Sequence, residues 1–165
     1  MNTRTYKIVV ILFAVFFVNS CSKDSIEEEI PILALVDVDY TNFENEVLSR
    51  INEHRASIGL NALEISDEVS SVAQSHTEHM ISTNRVSHDF FFRRRDVLRD
   101  NPGANAVSEN VAFGFSTSGG VVRGWLNSEE HRAIIETPSF THFGIAVDVD
   151  TEGRNYFTNI FIQLQ

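Results

Sequence analysis

The chain holds a single cysteine, Cys21, in 165 residues. One thiol rules out an internal disulfide framework, so the fold must stand on its hydrophobic core. Positive charge is scarce as well: 13 Lys and Arg face 23 Asp and Glu, for a formal net charge of −10. Binding a nucleic-acid polyanion relies on a basic face that releases counterions, which disfavours nucleic acid as a partner. The apolar run Ile8 to Val18 is 11 residues long, well short of the roughly 20 that a membrane-spanning helix needs. Two catalytic signatures are also missing. His-Glu-x-x-His does not occur, and Gly114-Phe115-Ser116-Thr117-Ser118 resembles the Gly-x-Ser-x-Gly elbow only superficially.

What is present begins with an export signal. Arg4 and Lys7 precede the apolar run, and residues 1–20 carry no acidic side chain, which reads as a secretory signal. Val18-Asn19-Ser20-Cys21 resembles the lipobox at which a bacterial signal peptidase cuts before a diacylglyceryl-modified cysteine. Residues 1–20 are therefore expected to be a removable lipoprotein signal peptide, and Cys21 the lipidated anchor to a membrane. Residues 21–40, with Ser22-Lys23-Asp24-Ser25-Ile26-Glu27-Glu28-Glu29, are too polar to order themselves and read as an acidic tether. The acidic stretch resembles the sorting signal that sends some lipoproteins to the outer face of the outer membrane; it reads equally well as a solvated linker with no address. The expected location is the cell envelope, lipid-anchored at the outer membrane.

Removing the signal takes Arg4 and Lys7 with it and leaves 145 residues with a net charge of −12. That length suits one domain, residues 41–165. Thr41-Asn42-Phe43-Glu44 matches a capping box and predicts a helix over 42–58, closed by Gly59. Ser66 with Asp67 and Glu68 predicts a second helix to Ser82, with Val69, Val72, Ala73, His76 and Met80 facing inward. His76 on that stripe reads as a core histidine bonded to backbone, and His54 and His142 as surface or rim residues. Leu60 to Leu63 reads as a packed connection. Further helices are expected at Phe91–Arg99, Gly120–Asn127 and His131–Ile135, and a strand at Val111–Phe115. The arginines at 93–95 and Arg99 read as a helix surface making ion pairs. Ile145, Val147 and Val149, a turn at 150–153, then Tyr156, Thr158, Ile160, Ile162 and Leu164 predict a β-hairpin. Helices followed by a closing hairpin suggest an α+β layered fold.

Four pieces stand out together: Ser87-His88, Glu109-Asn110, Trp125-x-x-Ser128-x-x-His131-Arg132, and Phe140-x-x-x-Gly144. Downstream of Asn52-x-x-Arg55-x-x-x-Gly59-Leu60, they resemble the CAP superfamily, also called SCP-like, which includes cysteine-rich secretory, antigen 5 and plant pathogenesis-related proteins. The similarity covers about Phe43 to Gln165 and is closest to the bacterial branch. It implies a three-layer α-β-α sandwich with a central, mainly antiparallel sheet and an open cleft. In the family the cleft holds two histidines and two acidic residues. His88 matches the first histidine and Glu109 the first glutamate. The second glutamate falls where this chain has Ser128, and His131 is the candidate for the other imidazole, with Asn110 and Ser128 as further cleft residues.

Two imidazoles and a carboxylate suit zinc or another divalent ion, with His88 and His131 as ligands; they suit an acid–base pair as well. They can also simply brace a cleft. Three functions follow. One is a binding module whose cleft takes a lipid, peptide or glycan ligand. Another is a metal-dependent hydrolase, peptidase-like, with Glu109 as base. The third is a purely structural or adhesive protein.

Overall fold

Local capping starts most of the helices. The computed structural model describes residues 38–165, so the expected signal, Cys21 and most of the tether lie outside the described residues. In α1 (Asn42–Ser57) the Thr41 hydroxyl accepts from the Glu44 amide, and the Glu44 carboxylate accepts from the Thr41 amide, at 3.2 and 2.9 Å. The helix ends in a Schellman turn: the Gly59 amide donates to Ala56 O and the Leu60 amide to Arg55 O. Gly59 sits at φ 80°, a left-handed position that suits a residue without Cβ. A two-residue strand, β1 (Glu64–Ile65), follows; it is too short to leave a sequence pattern. Next comes α2 (Asp67–Ser82), capped by Ser66, and then α3 (Phe91–Asp100). The latter starts without a side-chain cap from Phe90, which adopts a left-handed conformation at φ 58°.

The strand expected at Val111–Phe115 is instead β2 (Ala106–Phe113). Its middle, Ser108-Glu109-Asn110, is polar because it builds the site, which hid the strand; Gly114 at φ 79° ends it. Thr117 caps α4 (Ser118–Asn127), two residues earlier than expected, and α5 (Glu129–Ile135) starts at Glu129 rather than His131. The predicted hairpin is β3 (His142–Val149) and β4 (Asn155–Gln163). Its turn is held by Asp150, whose Oδ1 accepts from the amides of Glu152 and Arg154.

The sheet runs in the order β1-β3-β4-β2, with β1 and β3 parallel and the other pairs antiparallel. Apolar side chains leave both faces. Val47 and Ile51 of α1, Val121, Val122 and Trp125 of α4 and Ile135 of α5 pack on Phe143, Ile145, Phe157 and Phe161. On the other face, Val69, Val72 and Ala73 of α2 and Leu98 of α3 pack on Ala146, Ile160 and Ile162. The chain thus adopts the expected α+β, three-layer α-β-α sandwich around a mainly antiparallel sheet. Gly144 explains its place in the motif: a Cβ there would lie 2.4 Å from the carbonyl carbon of Val69, so only glycine lets α2 press its backbone onto β3.

The register fixes which way each backbone group of β2 points. The Gly114 amide donates to Asn155 O, so Gly114 and the alternate residues Ala112, Asn110, Ser108 and Ala106 turn their amides and carbonyls toward β4. Val107, Glu109, Val111 and Phe113 turn theirs to the outer edge. Trp125 confirms the phase by donating its indole N–H to Val111 O at 3.1 Å.

Candidate functional site

Side chains alternate across a strand, so Glu109 and Asn110 leave β2 on opposite faces. Glu109 points toward α3 and Asn110 toward α5. The Glu109 carboxylate is 1% exposed and fully engaged. Arg94 on α3 donates to both its oxygens, Nε to Oε2 and Nη2 to Oε1, each at 2.8 Å. His88, in the loop before α3, holds the same Oε1 through Nδ1 at 2.8 Å. Arg94 also donates to Asp89 O at 2.6 Å, which ties down the His88 loop. Beneath them His76 is buried, its Nε2 2.8 Å from Ser87 O and 3.7 Å from Glu109 Oε1. His76 is therefore the backbone-bonded core histidine expected from its position on the stripe.

Arg94 is the residue the sequence reading missed. The run 93–95 reads as a helix surface making ion pairs; Arg94 does make one, with Glu109, but from a position only 3% exposed. A signal for it existed: Phe91, Arg94 and Leu98 fall at i, i+3 and i+7, one face of a helix. Bidentate pairing with a carboxylate is the arrangement in which a buried guanidinium is best compensated.

These contacts set the protonation states. Burial would raise the Glu109 carboxyl, but the His88 hydrogen bond and the charge and hydrogen bonds of Arg94 outweigh it and hold it below the usual range. Burial lowers His76, partly offset by the nearby Glu109 charge. Burial also lowers His131, and the charge of His88 adds to the effect.

A cleft of about 310 Å³ lies beside this cluster, lined by His88, Phe91, Val107, Ser108, Glu109 and Ile134. Of the expected residues, His88 and Glu109 line it, and the His88 side chain is half exposed with Nε2 unengaged among the described residues. His131 and Ser128 stand together at the α4–α5 junction, Nδ1 to Oγ at 2.8 Å, adjacent to the cleft rather than lining it. Asn110 departs from the expected cleft role: it is fully buried and its Nδ2 donates to His131 O at 3.1 Å, because the strand turns it to the other face from Glu109. Asn110 holds the start of α5 in place instead.

The donor set for a metal is short. Catalytic zinc sites use three protein ligands, and among the described residues no group of three His, Cys, Asp or Glu side chains gathers as one. Glu109 has turned both oxygens to Arg94 and His88, which leaves the two imidazoles without a third ligand. The set does not fit a resident catalytic ion.

The remaining motif residues hold the frame. Arg55, fully buried, donates to Asn61 O, Asn61 Oδ1, Ile135 O and Thr137 O, so one side chain joins α1 to the end of α5. Asn52 exchanges two hydrogen bonds with the Leu63 backbone. His54 bonds Glu136 at 2.8 Å at the surface, and His142 lies 3.6 Å from Glu64.

An α-β-α sandwich with a histidine tied to a buried carboxylate beside the sheet edge defines a small cleft-bearing domain of a known kind. The model of the CAP family, cysteine-rich secretory proteins, matches residues 48–163, and the chain belongs to this family. The uncharacterized membrane protein YlbC of Bacillus subtilis is 33% identical over 128 residues, 74% of this chain and 35% of that protein. The uncharacterized protein YkwD of the same organism is 30% identical over 123 residues, 73% of this chain and 47% of that protein. The chain thus spans less than half the length of these relatives. Among solved structures, an outer surface protein of Borrelia burgdorferi superposes with a TM-score of 0.69 at 23% identity, over 78% of this chain and 97% of that one. An extracellular protein containing an SCP domain from Bacillus anthracis superposes at 0.64 with 28% identity, over 73% of this chain and 40% of that one.

Proposed function

We propose that this domain is a ligand-binding module of the cell envelope, held to the membrane by lipidated Cys21 and taking up its ligand in the cleft beside β2. The observation that carries the reading is the state of Glu109. Both of its oxygens are committed to Arg94 and His88, and its proton affinity is depressed. A general base must be free to take a proton. Glu109 acts here as the group that orients His88, leaving the exposed imidazole edge to meet a ligand. The relatives support the location: one is described as a membrane protein, another as an outer surface protein and a third as extracellular.

The test is to equilibrate the purified protein, and a His88→Ala variant, with lipid, peptide and glycan fractions of a bacterial envelope. Bound material is then recovered and weighed by mass spectrometry. The expected result is a ligand retained unchanged by the native protein and lost by the variant. Recovery of cleaved material, made by the native protein and not by the variant, would overturn the binding reading in favour of hydrolysis.

A further inference from the structure

The cleft floor is not made of side chains alone. Val107, Ser108 and Glu109 form it, and they belong to an edge strand. By the register, the amides and carbonyls of Val107 and Glu109 point away from β4, and none of the four has a hydrogen-bond partner among the described residues. The next outward carbonyl, Val111 O, is closed off by the Trp125 indole. Exposed edges in natural sheets are commonly blunted by Lys, Pro or a covering segment. From Ala106 to Phe113 there is neither lysine nor proline. Among the described residues the edge is thus closed at Val111 by the indole, while the outward groups of Val107 and Glu109 beside the cleft are left unpaired.

We infer that the ligand of the cleft is an extended peptide segment that adds to β2 as a further strand, pairing with the backbone of Val107 and Glu109. This deepens the binding-module reading and rests on it. The floor itself discriminates among ligand classes. Outward amides recur every second residue, about 7 Å apart, the period of an extended chain. A peptide offers donors and acceptors at that spacing, and main-chain pairing of this kind gives affinity while wall pockets give specificity. An acyl chain laid on the same floor would strip water from four backbone groups and return no hydrogen bond, which is costly. The walls suit alternating side chains: His88 and Phe91 stand on the α3 side and Ile134 on the α5 side, so residues of one phase meet an imidazole and an aromatic ring, and those of the other meet an aliphatic surface.

The experiment follows the amides of the full-length protein by NMR during titration with the peptide acetyl-Val-Thr-Val-Thr-Val-amide. A fully N-methylated version, which keeps the side chains but has no backbone donors, is the control. The expected result is that the Val107 and Glu109 amides shift downfield and gain protection from exchange, while the methylated peptide binds about tenfold or more weakly. Val107→Pro gives a second readout. Its amide makes no ladder bond, so proline removes an outward donor and leaves the sheet paired; the variant should keep the native spectrum away from the cleft and lose peptide binding. Equal binding of the two peptides, or shifts confined to α3 and α5, would overturn strand addition and leave a side-chain groove. If neither peptide binds while an envelope lipid or glycan is retained through His88, the peptide inference fails and the binding module stands. If no envelope fraction is retained either, both fail.

Discussion

Replacing Glu109 by Gln keeps the shape of the side chain and removes half of a buried ion pair. Arg94 would then hold a charge at 3% exposure with no anion beside it. Breaking a buried pair from one side costs about 3–5 kcal/mol. Glu109→Gln is therefore expected to destabilise the domain by that order, read as a lower denaturant midpoint at neutral pH. A joint replacement with Arg94→Met should recover part of the loss, because it removes the stranded charge. A stability equal to that of the native protein in Glu109→Gln would mean that the pair is not what holds the His88 loop. The pairing also shows why the site was only half legible. His88, Glu109 and His131 stand out by residue type and spacing. Arg94 lay hidden in a run of like charges, where composition suggests solvent and only the helical phase with Leu98 points inward. Asn110 misled in the opposite sense, since adjacency to Glu109 along a strand means the opposite face.

At the scale of elements, two motif glycines make different demands that a single substitution separates. Gly59 needs its left-handed backbone but has open space around it; Gly144 has ordinary backbone but lies against α2. Gly59→Ala should cost about 1–2 kcal/mol, the strain of a left-handed L-residue. Gly144→Ala should cost at least about 3 kcal/mol, the upper end for overpacking, since the atoms met are backbone rather than flexible side-chain ends. Denaturant unfolding of the two variants checks the order, and equal losses would mean that α2 does not depend on that close approach. Element existence was readable wherever a cap or a clean alternation marked it, as at Thr41, Ser66 and the final hairpin. Bounds were lost where function overwrote pattern, so that β2 was read only from Val111 onward, and an element as brief as β1 left no pattern at all. The start of α3 was read at its observed place, Phe91, although Phe90 gives that helix no side-chain cap and sits in a left-handed backbone conformation.

For the molecule as a whole, the buried titrating groups predict how stability falls in acid. His76 is depressed below 6.5 mainly by burial, so the unfolded chain takes up its proton first. Its contribution is present above pH 6.5 and is lost as pH falls from there toward the folded value. Glu109 is depressed below 4.5, so its contribution is present above that pH and is lost on further acidification. Two losses are expected in sequence, the first below about pH 6.5 and the second below about pH 4.5, in denaturation midpoints measured across the acid range. In His76→Gln, which can still donate to Ser87 O, the first loss should shrink. If that variant keeps the full first loss, the effect belongs to another group, and His131, lowered for the same reason, is the next to replace.

The two walls of the cleft hang from separate anchors. The α3 wall is moored by Arg94 and Glu109 to the outer strand. The α5 wall is moored at its start by Asn110 and at its end by Arg55, which reaches across from the first helix. The two moorings use different side chains, Glu109 and Asn110 leaving the same strand on opposite faces, so each wall forms a jaw with its own anchor. One jaw can drift in sequence, or be re-engineered, while the other keeps its shape. A cleft assembled in this way can change what it grips one side at a time without first dismantling the grip.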